Sequence, residues 1–327
     1  MGKGKPRVFV ASTFLPEVRR EFAEVFDLTF ASEASDVSEP LNELTTLSEE
    51  GTRFDGVLFS LDVAMRAEEI AGLPEAVSFL ATYSVGTDHI DLDAARTRGL
   101  AVFNTPGVLA DSVAENAIFL MLGAARRATE SIELIRGRSW PGWNPTQLVG
   151  VQLSGRTLGI VGMGDIGERI ASRAAALGMK ILYHNRRALP PSHPHAESYR
   201  ATASALVEDA DVLMLACPST EETRGLVNEA LLSVAKPELL VVNIARGDVV
   251  EDDALIAALA SNRIRGAGLD VFAGEPAVDP RYFDLPNVFM MPHIGSSTIE
   301  ARLGMGRILI EGVTRFRAGE NTANRVV

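Results

Sequence analysis

Residues 158–187 read LGIVGMGDIGERIASRAAALGMKILYHNRR. The stretch starts as an apolar, strand-like run, passes through Gly162, Gly164 and Gly167, and continues directly into an amphipathic helix. Strand, G-x-G-x-x-G and helix in that order form the phosphate turn of a dinucleotide-binding fold. The first glycine permits the tight turn and the second lets a pyrophosphate approach the backbone. The third lets the helix pack close to the strand. The helix start then presents free N–H groups and a positive dipole end to the phosphates. Met163, Asp165 and Ile166 complete the turn and are candidate cofactor contacts.

The second half of the stretch bears on which dinucleotide is bound. The acid that binds the ribose hydroxyls of NAD normally lies about 20 residues further on, at the end of the second strand. Here no Asp or Glu occurs between Glu168 and Glu197, and the strand ends in His184, Asn185, Arg186 and Arg187. A 2′-phosphate needs cationic donors, and a carboxylate would repel it. Asn185, Arg186 and Arg187 therefore point to NADP(H), with NAD(H) the weaker alternative. The bland reading of the pair is a solvated basic loop.

Outward from this turn, short β-branched runs alternate with helical stretches, which argues for parallel strands with crossover helices. A first series comprises RVFVAS (7–12), DGVLFS (55–60), AVSFLAT (76–82) and LAVFNT (100–105). A denser second series comprises TLGIVGM (157–163), KILYHN (180–185), DVLMLAC (211–217), LLVVNIA (239–245), GAGLDVF (266–272) and NVFMMP (287–292). Between the two series Pro106 and Gly107 punctuate the chain, and Asp111 or Ser112 could cap a long helix. The tail from Ser296 to about Arg317 is helical, with no strand after it. The expected fold is α/β, with two Rossmann-like domains built on parallel sheets. The cofactor domain, 106–295, is inserted into a split, flavodoxin-like substrate domain, 1–105 plus 296–327.

Composition narrows the class. The 327 residues are 46% hydrophobic and 23% charged, as in a globular protein. The net charge of −12 argues against general attraction to nucleic acid or an anionic membrane. One cysteine, Cys217, excludes a disulfide framework and suits a reducing cytoplasm. The apolar run after the basic start MGKGKPRVFVAS is too short for a signal peptide, and no run spans a bilayer.

Hydride transfer to a 2-oxo acid needs a cation for the carboxylate, a proton donor for the carbonyl oxygen, and a group that tunes the donor. Candidates stand at the strand ends of the second series: Arg246 in VVNIARGDVVEDDAL, Asp270 and Glu275 in GLDVFAGEP, and His293 in MMPHIGSST, followed by Gly295. His89, His193 and His195 read as loop or surface residues, and SHPH has no convincing metal partners, so no metal is expected. Cys217 reads as a packing residue.

These motifs also carry a resemblance. LGIVGMGDIG, CPSTEETRGLVN, NIARGDVVEDDAL, GLDVFAGEP and MPHIGSST resemble, in order, the successive motifs of the D-2-hydroxyacid dehydrogenase family. The likeness covers nearly the whole chain from YSVGTDHIDL (83–92) to Thr298. It implies two Rossmann-type domains in the split order above, a cleft between them, and a homodimer. It implies that Arg246 grips the substrate carboxylate and His293 donates the proton, while Glu275 hydrogen-bonds His293 and fixes its orientation. Asp270 would contact the nicotinamide amide, and the loop of Cys217, Pro218 and Thr223 would line the cofactor cleft, with Ile244, Ala245 and Gly295 beside it. Val85 and Gly86 resemble the family's second carboxylate contact.

SWPGWNPTQLVG (139–150) holds the only tryptophans, Trp140 and Trp143, and resembles the glyoxylate/hydroxypyruvate reductase branch. In that branch a Trp reaches the partner's active site, so Trp143 is a substrate-binding candidate; an interface anchor is the alternative. Asn116 stands where the family usually has an apolar residue. The expected activity is NADPH-dependent reduction of glyoxylate or hydroxypyruvate to the D-2-hydroxy acid by a cytoplasmic homodimer. The alternatives are a 2-ketogluconate-type reductase and a nucleotide-sensing scaffold of the same fold.

Overall fold

The computed structural model describes residues 4–32 and 39–327; the first residues of the basic N-terminal stretch lie outside them. In chain order the elements begin with β1 (Arg7–Val10), α1 (Pro16–Val25), β2 (Asp27–Phe30), α2 (Glu39–Glu49), β3 (Gly56–Phe59) and α3 (Ala67–Gly72). They continue with β4 (Phe79–Thr82), α4 (Leu92–Thr97), β5 (Ala101–Phe103), α5 (Ala110–Ala125) and α6 (Ala128–Arg136). Next come β6 (Thr157–Val161), α7 (Asp165–Ala176), β7 (Lys180–His184), α8 (Ala203–Asp209), β8 (Val212–Leu215) and α9 (Glu229–Ser233). The last are β9 (Leu240–Asn243), α10 (Asp252–Ala260), β10 (Gly266–Leu269), β11 (Val288–Met290) and α11 (Ile299–Arg317). The chain divides into two compact units, 1–109 with 297–327, and 110–296.

The first unit carries a parallel sheet in the order β2-β1-β3-β4-β5, with its switch point between β1 and β3. Strands β3 and β4 are buried at every position, which is why they read as unbroken apolar runs rather than alternating ones. Strand β2, DLTF, lies at the sheet edge and is only half buried, so its sequence lacked that signature. Helix α11 is capped by the Thr298 hydroxyl, which accepts from Ala301 N at 3.3 Å. No strand follows α11, as expected, but the tail still meets the sheet: Val326 N donates to Val102 O at 2.7 Å, and Arg325 makes an isolated antiparallel bridge to Phe103.

His89, expected in a loop or on the surface, is buried at 6% exposure, with Nε2 2.9 Å from Thr82 Oγ1. A polar side chain is stable there only because it is hydrogen-bonded.

The second unit carries the order β11-β10-β9-β8-β6-β7, all parallel. A single parallel bridge from Tyr183 to Tyr199 adds the stub of a further strand beyond β7. The order reverses between β6 and β8, where open α/β sheets bind ligands at the carboxyl ends of the strands. Glycines set how closely α5 lies on this sheet. A side-chain carbon on Gly268 would come within 2.8 Å of Leu120 O, and one on Gly123 within 2.2 Å of the Phe289 ring.

The single long helix expected from Asp111 or Ser112 is two helices. Arg127, with φ 55°, breaks α5 from α6. Neither expected cap acts as one: α5 already begins at Ala110. Asp111 instead accepts from Arg169 at 2.6 Å and Arg173 at 2.7 Å, pinning α5 to α7. Among the described residues no helix is long and apolar enough to cross a membrane, and no group of His, Cys, Asp and Glu could hold a metal ion.

Candidate active site

The phosphate turn shows a distinct role for each glycine. Gly162 has φ 99°, and a side-chain carbon there would lie 2.6 Å from Ala216 O, so β6 and β8 could not meet. A carbon on Gly167 would lie 2.3 Å from Gly162 O, so α7 could not pack onto the turn. A carbon on Gly164 would meet nothing within 4 Å. The middle glycine therefore borders open space at the first turn of a helix whose N-terminus has no side-chain cap. Unsatisfied N–H groups facing open space fit a pyrophosphate.

Side chains around the turn are largely engaged with one another. Asp165 accepts from Arg169 Nε at 3.0 Å. Asn185 accepts from Met163 N at 2.7 Å and donates to Met163 O at 3.3 Å, so its amide braces the turn. Arg186 and Arg187 are exposed, and neither guanidinium makes a hydrogen bond or ion pair among the described residues. The Glu222 carboxyl is held below its usual range, mainly by the Thr220 hydroxyl and to a small extent by Arg186. After β8, Cys217 is 7% exposed, and burial pushes its thiol up to about 11, which suits a packing residue. Thr223 Oγ1 donates to Pro218 O at 2.7 Å and accepts from Thr220 N at 2.8 Å, closing the loop that follows.

Arg246, Glu275 and His293 come together within this one unit. Arg246 stands just beyond β9, on a turn shaped by Asn243, which is 1% exposed. Asn243 Oδ1 accepts from Ala245 N at 3.0 Å, and its Nδ2 donates to Arg246 O at 2.9 Å. A side-chain carbon on the next residue, Gly247, would lie 1.9 Å from Phe272 C, so the Arg246 loop rests flush on the backbone leading to Glu275.

Glu275 Oε1 accepts from Phe272 N at 2.8 Å, and Oε2 lies 2.7 Å from His293 Nδ1. Burial works to raise the Glu275 carboxyl. The hydrogen bonds from His293 and Phe272 N, with the charges of His293 and Arg246, outweigh it and hold the carboxyl below its ordinary value. With Nδ1 engaged, Nε2 is the histidine nitrogen left to exchange a proton. A cavity of about 300 Å³ lined by Phe272, Pro276, Val278, Phe283 and Met290 gives the pair an apolar neighbour.

His293 has φ 52°, a left-handed conformation that costs a non-glycine residue on the order of 1 kcal/mol. Asp270, 2% exposed, holds it there. Its carbonyl accepts from His293 N at 2.8 Å, and its carboxylate accepts from Ile294 N at 2.9 Å and Gly295 N at 2.8 Å. Ser112 Oγ adds a bond to Gly295 O at 2.6 Å.

In the first unit, the turn after β4 ties up its carbonyls. Asn104 Nδ2 donates to Val85 O at 2.9 Å, and Ser84 Oγ donates to Gly86 O at 2.7 Å. The amides of Val85 and Gly86 have no partner among the described residues. Both N–H groups are therefore available to an acceptor other than this part of the chain. Elsewhere, Trp143 is 82% exposed and Trp140 is 53% exposed. His193 Nε2 meets Glu168 Oε1 at 3.2 Å, tethering its loop to α7.

Sequence reading missed Asn243 and Ser112. Asn243 carried a usable signal, because a polar residue closing an apolar strand run just before a candidate arginine is placed to shape the turn.

A dinucleotide turn at the switch point, beside an arginine and a carboxylate–histidine pair, defines a nicotinamide-dependent oxidoreductase. Comparisons with known proteins place it within that class. Residues 118–295 match the model of the D-isomer specific 2-hydroxyacid dehydrogenase, NAD binding domain. A glycerate dehydrogenase of Hyphomicrobium methylovorum is 42% identical over 271 residues, covering 82% of this chain and 84% of that protein. A glyoxylate reductase of Thermococcus litoralis is 41% identical over 254 residues, covering 76% of this chain and 77% of that protein. The crystal structure of an NADPH-dependent glyoxylate/hydroxypyruvate reductase from Sinorhizobium meliloti, in complex with NADP and malonate, is similar with a TM-score of 0.85 and 30% identity. It covers 99% of this chain and 97% of that one. The chain belongs to the D-isomer specific 2-hydroxyacid dehydrogenase family, on the glyoxylate reductase branch.

Proposed function

We propose that this enzyme reduces a small 2-oxo acid, glyoxylate or hydroxypyruvate, to the D-2-hydroxy acid with NADPH. The observation that carries this reading is the Glu275–His293 pair at 2.7 Å, with Arg246 close enough for its charge to act on Glu275. When bound, the nicotinamide supplies the hydride. Gly162, Met163, Gly164, Asp165 and Ile166 hold its pyrophosphate through the turn, and Arg186 and Arg187 take the 2′-phosphate. Asp270 and Gly295 would face its carboxamide, and Cys217, Pro218, Thr223, Ile244 and Ala245 would line its bed.

Arg246 holds the substrate carboxylate by a bidentate, charge-assisted contact. His293 Nε2 delivers a proton to the carbonyl oxygen as negative charge develops there. Glu275, 2.7 Å from Nδ1, keeps the ring oriented. The test is NADPH oxidation across a panel of 2-oxo acids, with glyoxylate and hydroxypyruvate expected to turn over best. Preference for a sugar-derived 2-oxo acid would favour the 2-ketogluconate-type reading. No turnover of any would favour a nucleotide-sensing scaffold.

The protein is proposed to act as a cytoplasmic homodimer. Phe119, Ile132, Ile135, Trp140, Trp143 and Val149, all within 31 residues of chain, are each at least 48% exposed. So dense a run of exposed apolar residues marks an association surface, and a twofold interface would bury it in both copies. Trp143 would then belong to the partner's substrate site. Sedimentation should give a dimer at micromolar concentration; a monomer would remove both claims.

A further inference from the structure

The close approach of α5 to β10 brings an unusual residue up to Asp270. Ser112 and Asn116 are four residues apart on α5 and so share a face. Ser112 uses that face to bond Gly295 O at 2.6 Å. Asn116 turns its Nδ2 inward, where it is fully buried and within hydrogen-bond geometry of no acceptor among the described residues. An orphaned buried amide costs about 1–3 kcal/mol, so a residue of this type calls for a reason. The group it lies against is the Asp270 carboxylate, near enough for the amide to favour the ionised form. The opposite flip of the amide would set its oxygen against that carboxylate.

We infer that Asn116 is a positioning residue for Asp270: its buried amide lies on the face of α5 that meets Gly295 and keeps this carboxylate aligned on Ile294 and Gly295, ready to accept from the nicotinamide carboxamide. The cofactor part of this statement rests on the proposed function; the Asn116–Asp270 part does not. Burial pushes the Asp270 carboxyl up, and the opposing groups are the Ile294 and Gly295 amides, the His293 charge and Asn116. An apolar side chain at 116 would remove one of only four. A protonated Asp270 would hold the Ile294 and Gly295 amides more weakly, and the strained His293 just before them would lose part of its support.

The sign of the pH effect follows from linkage. An acid whose pKa is raised in the folded state contributes stability at low pH, which is lost as pH rises from the unfolded value through the folded one. Removing the Asn116 donor raises the folded pKa further, so the loss deepens as pH rises. The apo protein is therefore melted across pH 4–9 as wild type, Asn116→Leu and Asn116→Asp (buffer range chosen to span carboxylate titration). The isosteric Asp variant keeps the test alive if Leu fails to pack.

The Tm deficit of each variant should widen toward high pH, more steeply for Asp, whose charge faces Asp270. NADPH titrations followed by fluorescence give the second readout. A carboxylate that protonates at higher pH loses its acceptor sooner, so between pH 8 and pH 5.5 affinity should fall by a larger factor in Asn116→Leu than in wild type. A Tm deficit that is the same at every pH would reduce Asn116 to a packing residue and overturn the inference. Failure of wild type to bind either cofactor would sink the proposed function, and the melting series would still decide the Asn116–Asp270 relation.

Discussion

His293→Ala should lower kcat for glyoxylate reduction by about 10²–10⁴, the range for loss of a general acid, while the Kd for NADPH changes by less than about threefold, within the contribution of one weak contact. The geometry gives the reason. Glu275 Oε2 holds Nδ1 at 2.7 Å, so the proton that reaches the substrate leaves from Nε2. Truncation removes that proton and leaves Glu275 without its strongest partner. The phosphate turn and the arginine pair stand at β6 and β7, away from the loop after β11 that carries His293, so cofactor binding persists.

A backbone control is needed because residue 293 is left-handed, with φ 52°. Asn tolerates that region better than Ala, so His293→Asn separates loss of the acid from loss of the loop. Both variants should fall together, with Tm kept closer to wild type in Asn. Near-normal kcat in either variant at every pH would remove His293 as the proton donor.

The parts of this site that were legible in the sequence are those whose cause is local. The phosphate turn could be read because its three glycines answer to chain geometry: a tight turn at Gly162, open space at Gly164 and close packing at Gly167. The central strands of both sheets could be read because burial on both faces leaves mostly apolar residues, whereas the half-buried edge strand β2 could not. Arg246, Glu275 and His293 were found through their motifs, and spacing alone would not have joined them.

What escaped was decided by tertiary neighbours. The break at Arg127 has no glycine or proline to announce it. Asp111 looked like a cap because Asp caps helices, yet two arginines of α7 claim its carboxylate. His89 gave no sign of burial, since its partner, Thr82, lies on the preceding strand and turns inward only in the folded sheet. Asn116 stood out only as a departure from family pattern; the buried carboxylate beside it is 154 residues further along the chain.

Replacing both Arg186 and Arg187 with neutral residues should lower kcat/KM for NADPH strongly and leave that for NADH nearly unchanged. A charge-assisted hydrogen bond contributes on the order of 1.5–3 kcal/mol, so each arginine is expected to supply about tenfold or more. Three features make the pair available for a 2′-phosphate. The pair follows β7 after one residue at the edge of the turn, both members are exposed, and neither makes a hydrogen bond or ion pair among the described residues, although the charge of Arg186 acts weakly on Glu222. A structural arginine pair would show partners, as Arg169 and Arg173 do with Asp111.

Solvent at this position works against the largest values, because exposed charges are screened. The discrimination should therefore shrink as salt is raised and appear in KM rather than kcat. Asn185 sets a further condition. Its amide binds both the N–H and the carbonyl of Met163, so Asn185→Asp keeps the acceptor for Met163 N but loses the bond to Met163 O. That variant should repel NADPH and help NADH only modestly, since its carboxylate stays partly engaged with the turn. The deciding comparison is kcat/KM for both cofactors, at low and high salt, in wild type and the double variant. Equal efficiency with NADH and NADPH in the wild type would return Arg186 and Arg187 to a solvated basic loop, and the missing ribose acid would then need another explanation.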